Sequence, residues 1–225
     1  AFGDSFGLLT SLFSGLAFAG LIITILMQKE ELALQREELS LTRQELSGQR
    51  EELAQQNKTM KQEKFENTFF QMLSLHNEIV KGIDIKMGTR EYYGRNAFQA
   101  MHNKFLNIHN GRRLSDANKD QINDLYLRFY KAYQHEIGHY FRNLYNVIKF
   151  VNKSPVENKR LYTNIVRAQL SSYELFFLFY NCLSEMGKEK FHPLIEEYGL
   201  LKTLPDELIS NLDTHKGLYN PSAYG

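Results

Sequence analysis

The chain has 225 residues, with 27 Lys and Arg against 26 Asp and Glu, one Cys, 16 Phe, 13 Tyr and no Trp. That length supports one sizeable hydrophobic core with an appendage. A formal charge of +1 offers no global attraction to nucleic acid. The lone Cys182 excludes an intrachain disulfide framework and a Cys-rich zinc site, and it suits a reducing compartment.

The first element is apolar. Leu8 to Met27, LLTSLFSGLAFAGLIITILM, carries no charge. A helix of about 20 residues spans about 30 Å, the thickness of a hydrocarbon core. Gly15, Ala17, Ala19 and Gly20 offer small surfaces for close helix packing. The run does not read as a secretory signal, because no basic region precedes it and no small-residue cleavage site follows it. Were another span to precede it, FGDSFG (Phe2–Gly7) would turn between the two. Lys29 and Arg36 place the following segment in the cytoplasm by the positive-inside rule, against Glu30 and Glu31.

From Gln28 the sequence repeats every seven residues. Leu32, Leu39, Leu46, Leu53 and Met60 share one register, that of apolar a positions. Gln28, Gln35, Thr42, Gln49 and Gln56 take the d positions, and the repeat extends back through Ile25, Leu21 and Phe18. One continuous helix is expected, with Gly48 a mild interruption costing about 1 kcal/mol. Polar d residues weaken a two-stranded seam. The readings are a self-associating stalk, a larger polar-cored assembly, a brace against another domain, or an exposed helix held by i,i+4 Glu–Arg and Glu–Lys pairs.

At Phe65 the composition changes. FENTFFQMLSLHNEIVKGI places Phe65, Phe69, Met72, Leu73, His76, Ile79 and Val80 on one helical face. Residues 82–94 read as a connection and 95–109 as a helix. Residues 110–118 read as a loop with Ser115 or Asp116 as the cap of the next helix. A long helix is expected over 119–151, breaking near Gly138, then a linker around Pro155. A second long helix is expected over 157–186, a short one over 188–197, and a turn or two over 205–212. No alternating β pattern, phosphate loop, His-Glu-x-x-His or Gly-x-Ser-x-Gly motif occurs. The fold class is all-α: a membrane-spanning helix (1–27) continuing into a heptad helix (28–64), a compact helical bundle (65–213) and a flexible tail (214–225).

Polar stripes on the bundle helices supply the candidate site. His135, His139, Arg142, Asn146 and Lys149 fall on one face of the 119–151 helix, opposite Ile137, Phe141, Leu144 and Ile148. Arg167, Ser171, Glu174 and Asn181 form a polar face of the 157–186 helix. If the helices are neighbours, Glu174 pairs with Arg142 or Arg167, and His139 joins them. Two readings stand. One is a structural network specifying the bundle. The other is a site for a phosphate, nucleotide or RNA backbone, with arginine gripping phosphate and histidine moving protons. Arg128 and His135, at Arg-x6-His spacing, are the catalytic pair of a metal-independent ribonuclease alternative, although Phe129 departs from the polar residue such pairs prefer. No metal ligand set and no cofactor motif is present. His76 reads as core-edge, His102 and His109 as surface, and Cys182 as buried packing.

Several segments resemble the phage abortive infection protein family of the AbiC type. They are FGDSFGLLTSLFSGLAFAGLIITIL, the Gln/Glu/Leu heptads and FENTFFQMLSLHNEIVKGI. More specific are HYFRNLYNVIKFV, NIVRAQLSSYELFFLFYNCLS and LIEEYGLLKTLP. The resemblance implies a membrane-anchored antiviral protein of the bacterial inner membrane, with its bulk in the cytoplasm, whose activation stops phage propagation. It supplies no reaction and no catalytic residues. The partners expected are the lipid bilayer, further copies of the chain, and a phage-derived trigger or a partner defence protein, with RNA only under the nuclease alternative. The leading reading is a defence protein whose helical domain senses infection and whose long helix couples that event to a perturbation of the membrane; the metal-independent ribonuclease is the second, and a scaffold recruiting another effector is the third.

Overall fold

The computed structural model describes residues 2–107, 117–209 and 212–225. The chain divides into two units, residues 1–61 and 62–225. Among the described residues it is all-α apart from one two-stranded hairpin.

The first unit consists of helix α1 (Phe2–Lys81) up to Lys61. Phe2–Gly7 are helical. The apolar stretch has a mean hydropathy of 2.1 and none of it is buried. It is long and apolar enough to cross a membrane. Thr24 Oγ1 donates to Gly20 O at 2.9 Å, so this hydroxyl is satisfied within the helix. The heptad leucines are exposed as well, and the helix continues through Gly48.

In the second unit, residues 62–81 of α1 supply Phe65, Phe69, Leu73, His76 and Val80 to the core. These are the i, i+4, i+8 positions the periodicity picks out, with His76 buried and not merely at the edge. The expected plain connection over 82–94 is a β-hairpin. Strand β1 (Asp84–Met87) pairs antiparallel with β2 (Arg90–Tyr93), with Ile85 opposite Tyr92 and Met87 opposite Arg90. A two-residue turn needs a positive φ, which Gly88 supplies at 63°.

Helix α2 (Arg95–Asn107) follows. Helix α3 (Lys119–Lys153) starts from a capping box in which Asn118 and Gln121 cap each other. The proposed caps Ser115 and Asp116, and His109, lie outside the described residues. The helix does not break at Gly138. There the missing Cβ makes room for the Tyr130 hydroxyl, which a methyl group would meet at 3.1 Å. The expected single helix over 157–186 is two helices, α4 (Lys159–Gln169) and α5 (Ser172–Leu183). Ser171 and Glu174 form a second capping box and restart the chain. Helix α6 (His192–Tyr198) ends on Gly199 at φ 61°, a left-handed cap. A 3-10 turn (Asp206–Leu208), helix α7 (Leu212–Lys216) and a second 3-10 turn (Pro221–Tyr224) complete the order.

Helix α5 is the centre of the bundle. From Glu174 to Leu183 every residue is buried, between α2 on one side and α3 on another. Phe177 stacks on Phe129 at 4.8 Å between ring centroids, and Phe105 meets Phe176 edge-on at 5.6 Å. Each fully buried phenyl ring contributes about 1.5–3 kcal/mol from removal of apolar surface, and the offset and edge contacts add to that. Polar side chains in this stretch are partnered: Asn181 Nδ2 donates to the Tyr126 hydroxyl at 2.8 Å.

The flexible tail expected at 214–225 is instead packed. His215, Tyr219 and Ala223 are buried. Tyr219 donates to the Phe179 carbonyl at 2.6 Å, and His215 bridges the Tyr180 hydroxyl (3.3 Å) and the Ala117 carbonyl (3.2 Å). Gly/Pro content suggested disorder; three inward side chains override it.

Candidate functional site

The site grows from the break between α4 and α5. Ser171 caps α5, and Glu174 reaches back so that its Oε2 accepts from the Ser171 N–H at 2.8 Å. Here the carboxylate is fully buried, and a buried charge requires a partner. The partner is neither Arg142 nor Arg167. It is Arg95, the first residue of α2, whose Nε donates to the same Oε2 at 3.2 Å. The Arg95 Nη2 donates to the Gln169 carbonyl at 2.7 Å, satisfying an acceptor left open by the end of α4. One guanidinium therefore ties the start of α2 to the end of α4 and the start of α5.

Behind this pair the polarity is incompletely satisfied. Among the described residues Glu174 Oε1, the Tyr140 hydroxyl, Asn143 Oδ1 and both ring nitrogens of His76 are buried without a hydrogen bond. The His76 and Tyr140 rings lie 4.9 Å apart. Glu174 is near enough to both to influence their ionisation. Burial lowers the His76 pKa, while Glu174 and Asn143 partly offset it. Burial first, then Glu174, pushes the Tyr140 phenol well above its usual range. Buried polar atoms of this kind call for water or a ligand.

Arg95 also opens this cluster to the surface. It lines a cavity of about 490 Å³ together with Asn77, Lys81, Asn96 and Gln169, rimmed by Tyr93 and Gly94. Asn77 Nδ2 donates to Gln169 Oε1 at 3.3 Å, and Lys81 pairs with the exposed Glu78 at 2.7 Å. Two cations and three amides around one concavity suit an anionic ligand bearing hydrogen-bond acceptors. Among the described residues no three His, Cys, Asp or Glu side chains converge as a metal set.

The residues singled out from sequence divide sharply. Ser171 and Glu174 belong to this site. Arg142, Asn146 and His135 are exposed on α3, and His139 is half-buried. The expected Arg142–Glu174 contact does not form, because the stripe opposite the apolar face of α3 faces solvent. Arg167 donates through Nη1 to the Gly199 carbonyl at 3.1 Å and secures the end of α6. Asn181 serves the Tyr126 contact described above. Arg128 and His135 are both exposed on α3, two turns apart and outside the cavity. His102 is buried beneath Tyr173 and against Phe176, not on the surface. Cys182 is buried, and burial pushes its thiol up and away from the reactive thiolate.

Arg95, His76, Tyr140 and Asn143 escaped the sequence reading of the site. His76 carried a signal, a titratable group on an otherwise apolar face. Arg95 carried none, since its partner lies 79 residues away.

No curated protein and no solved structure matches the chain. Three of the resembling segments, HYFRNLYNVIKFV, NIVRAQLSSYELFFLFYNCLS and LIEEYGLLKTLP, fall within residues 132–209, which hold the second half of α3 and all of α4, α5 and α6. Over those residues, 132–209, the chain matches the family described as "Putative phage abortive infection protein".

Proposed function

We propose that this chain is a membrane-anchored phage-defence protein. Its bundle senses infection at the Arg95 cavity, and α1 couples that event to a perturbation of the membrane. The observation that carries the anchoring is the exposed apolar run. Leu9, Leu12, Phe13, Leu16, Phe18, Leu21, Ile23 and Ile25 are each more than half exposed. An uncharged surface all around one helix is stable in lipid and costly in water. The sensing half is supported by Arg95 and Lys81 at one cavity, backed by buried polar atoms without partners; the chemistry fits a phosphate-bearing ligand. The match over residues 132–209 supports the defence role.

RNA integrity and membrane potential, followed together after phage challenge, test the proposal. The strains would carry the wild type, His135→Ala, or a chain with charges placed in the Leu8–Met27 run. Early depolarisation with intact RNA, lost in the anchor variant, is expected. Early RNA cleavage without a change in potential overturns it and favours the Arg128–His135 alternative. Neither change, with protection retained, overturns it in favour of recruitment of another effector.

A further inference from the structure

The heptad helix carries a charge code that a single copy cannot use. Lys29, Arg36, Arg43 and Arg50 fall at four successive e positions, and Glu31, Glu38, Glu45 and Glu52 at four successive g positions, the series ending at Asn57 and Thr59. On a helix, charges help each other at i±3 and i±4 and not at i±1. From Lys29 to Glu52 no residue has an opposite charge at any of those spacings. The i,i+4 Glu–Arg and Glu–Lys pairs considered for an exposed helix are therefore not available. Every residue of this stretch is exposed, with Leu32, Leu39, Leu46 and Leu53 about half or more exposed. A helix without its own ion pairs and with an unburied leucine seam requires a partner.

We infer that the partner is a second copy of this chain, aligned parallel and in register along residues 28–60. In that arrangement each g residue faces the e residue five positions on in its neighbour. Glu31 meets the partner's Arg36, Glu38 meets the partner's Arg43, and Glu45 meets the partner's Arg50. Antiparallel alignment puts g against g and e against e, so carboxylates oppose carboxylates and cations oppose cations. The core selects the same orientation. In parallel register the a leucines layer on one another, and Gln28, Gln35, Thr42, Gln49 and Gln56 meet their own kind at d, where glutamine amides, and at Thr42 hydroxyls, hydrogen-bond across the seam. Antiparallel alignment would press leucine against glutamine at each layer. The inference uses only the sequence beyond Met27 and stands whether or not the preceding run crosses a membrane.

Charge exchange on the full chain in detergent tests it. One variant carries Arg36→Glu, Arg43→Glu and Arg50→Glu. The other carries Glu31→Lys, Glu38→Lys and Glu45→Lys. Each alone is expected to lose self-association by at least about tenfold in concentration, measured as mass by light scattering. Mixed, the two are expected to recover association as a hetero-complex, because every facing pair is again opposite. That recovery separates partner pairing from simple loss of helix. In parallel, Gln35→Cys and Gln56→Cys chains, oxidised separately, should each cross-link to an identical chain, while the buried Cys182 gives no product in the parent. A monomeric parent overturns the inference, as do variants that associate like the parent, a mixture that fails to recover, or cross-linking only between Gln35→Cys and Gln56→Cys chains.

Discussion

The Glu174 carboxylate, buried at the start of α5, receives the Arg95 Nε hydrogen at 3.2 Å from a guanidinium that is itself half-exposed at the cavity. The charge that must stay buried is thus neutralised by one that a ligand can reach. An anion binding at Arg95 would compete with Glu174, and the competition would be felt by Ser171, Tyr140 and His76.

Arg95→Ala should therefore destabilise the bundle by about 2 kcal/mol, less than for a fully buried pair because Arg95 is partly solvated. Arg142→Leu, on the exposed face of α3, should change stability by no more than about 0.5 kcal/mol. Urea titrations of the two variants check this directly. Equal losses would contradict the assignment of Glu174 to Arg95.

Stability should fall on mild acidification. His76, His102 and His215 are all held below the ordinary histidine pKa, chiefly by burial. In the unfolded chain they gain protons near pH 6.5, before the folded chain does. Below that pH the unfolded state binds more protons, so stability rises with pH through this window and levels off above it. Denaturant midpoints at pH 5 and pH 7.5 measure the difference. His76→Phe keeps a ring beside Tyr140 and removes two unpaired nitrogens. It should leave stability at neutral pH unchanged or raise it by about 1 kcal/mol and reduce the acid sensitivity. Loss of phage protection in so stable a variant would mark His76 as part of sensing.

Gly187→Ala should be poorly tolerated. A Cβ there would lie 2.8 Å from Asn181 Oδ1 and 2.9 Å from the Cys182 Cα, and backbone cannot give way as a flexible side chain can. An overpacking loss of about 1–3 kcal/mol is expected, seen as a lower thermal midpoint. Gly48→Ala, with nothing near its Cβ, should instead raise helix stability by up to about 1 kcal/mol.

His135→Ala should leave folding and membrane insertion intact, since the ring is exposed on α3. Phage protection should survive as well. Loss of protection together with loss of infection-dependent RNA cleavage would show that Arg128 and His135 act as a pair. Plating efficiency and RNA gels from the same cultures decide it.

Periodicity made the large elements legible. The uncharged run, the heptads, and the core faces of residues 65–80 and of α3 all follow from which positions are apolar. The break between α4 and α5 was also written in the sequence, as Ser171 and Glu174 spaced for a capping box ahead of an apolar run. Those residues read first as one polar stripe because helical spacing alone does not distinguish a cap from an interior face. The hairpin was hidden because only Ile85 of β1 is buried and β2 has no buried residue, so no alternation of polarity marks it. The Arg95–Glu174 contact joins distant parts of the chain, and no local pattern announces it. Polar faces pointed to α3 and to the 157–186 helix for the site; burial keeps Ser171 and Glu174, leaves the α3 stripe in solvent and places the site at the junction of α2, α4 and α5.

The last turns of the chain anchor through side chains, with Tyr219 bonded to the Phe179 carbonyl and His215 held between Tyr180 and Ala117. Such a segment resembles a detachable plug. If a protease severed the backbone just ahead of it, the short peptide would still have a shaped, hydrogen-bonding socket to occupy. The bundle could then be opened and reassembled from two pieces, by fragment complementation.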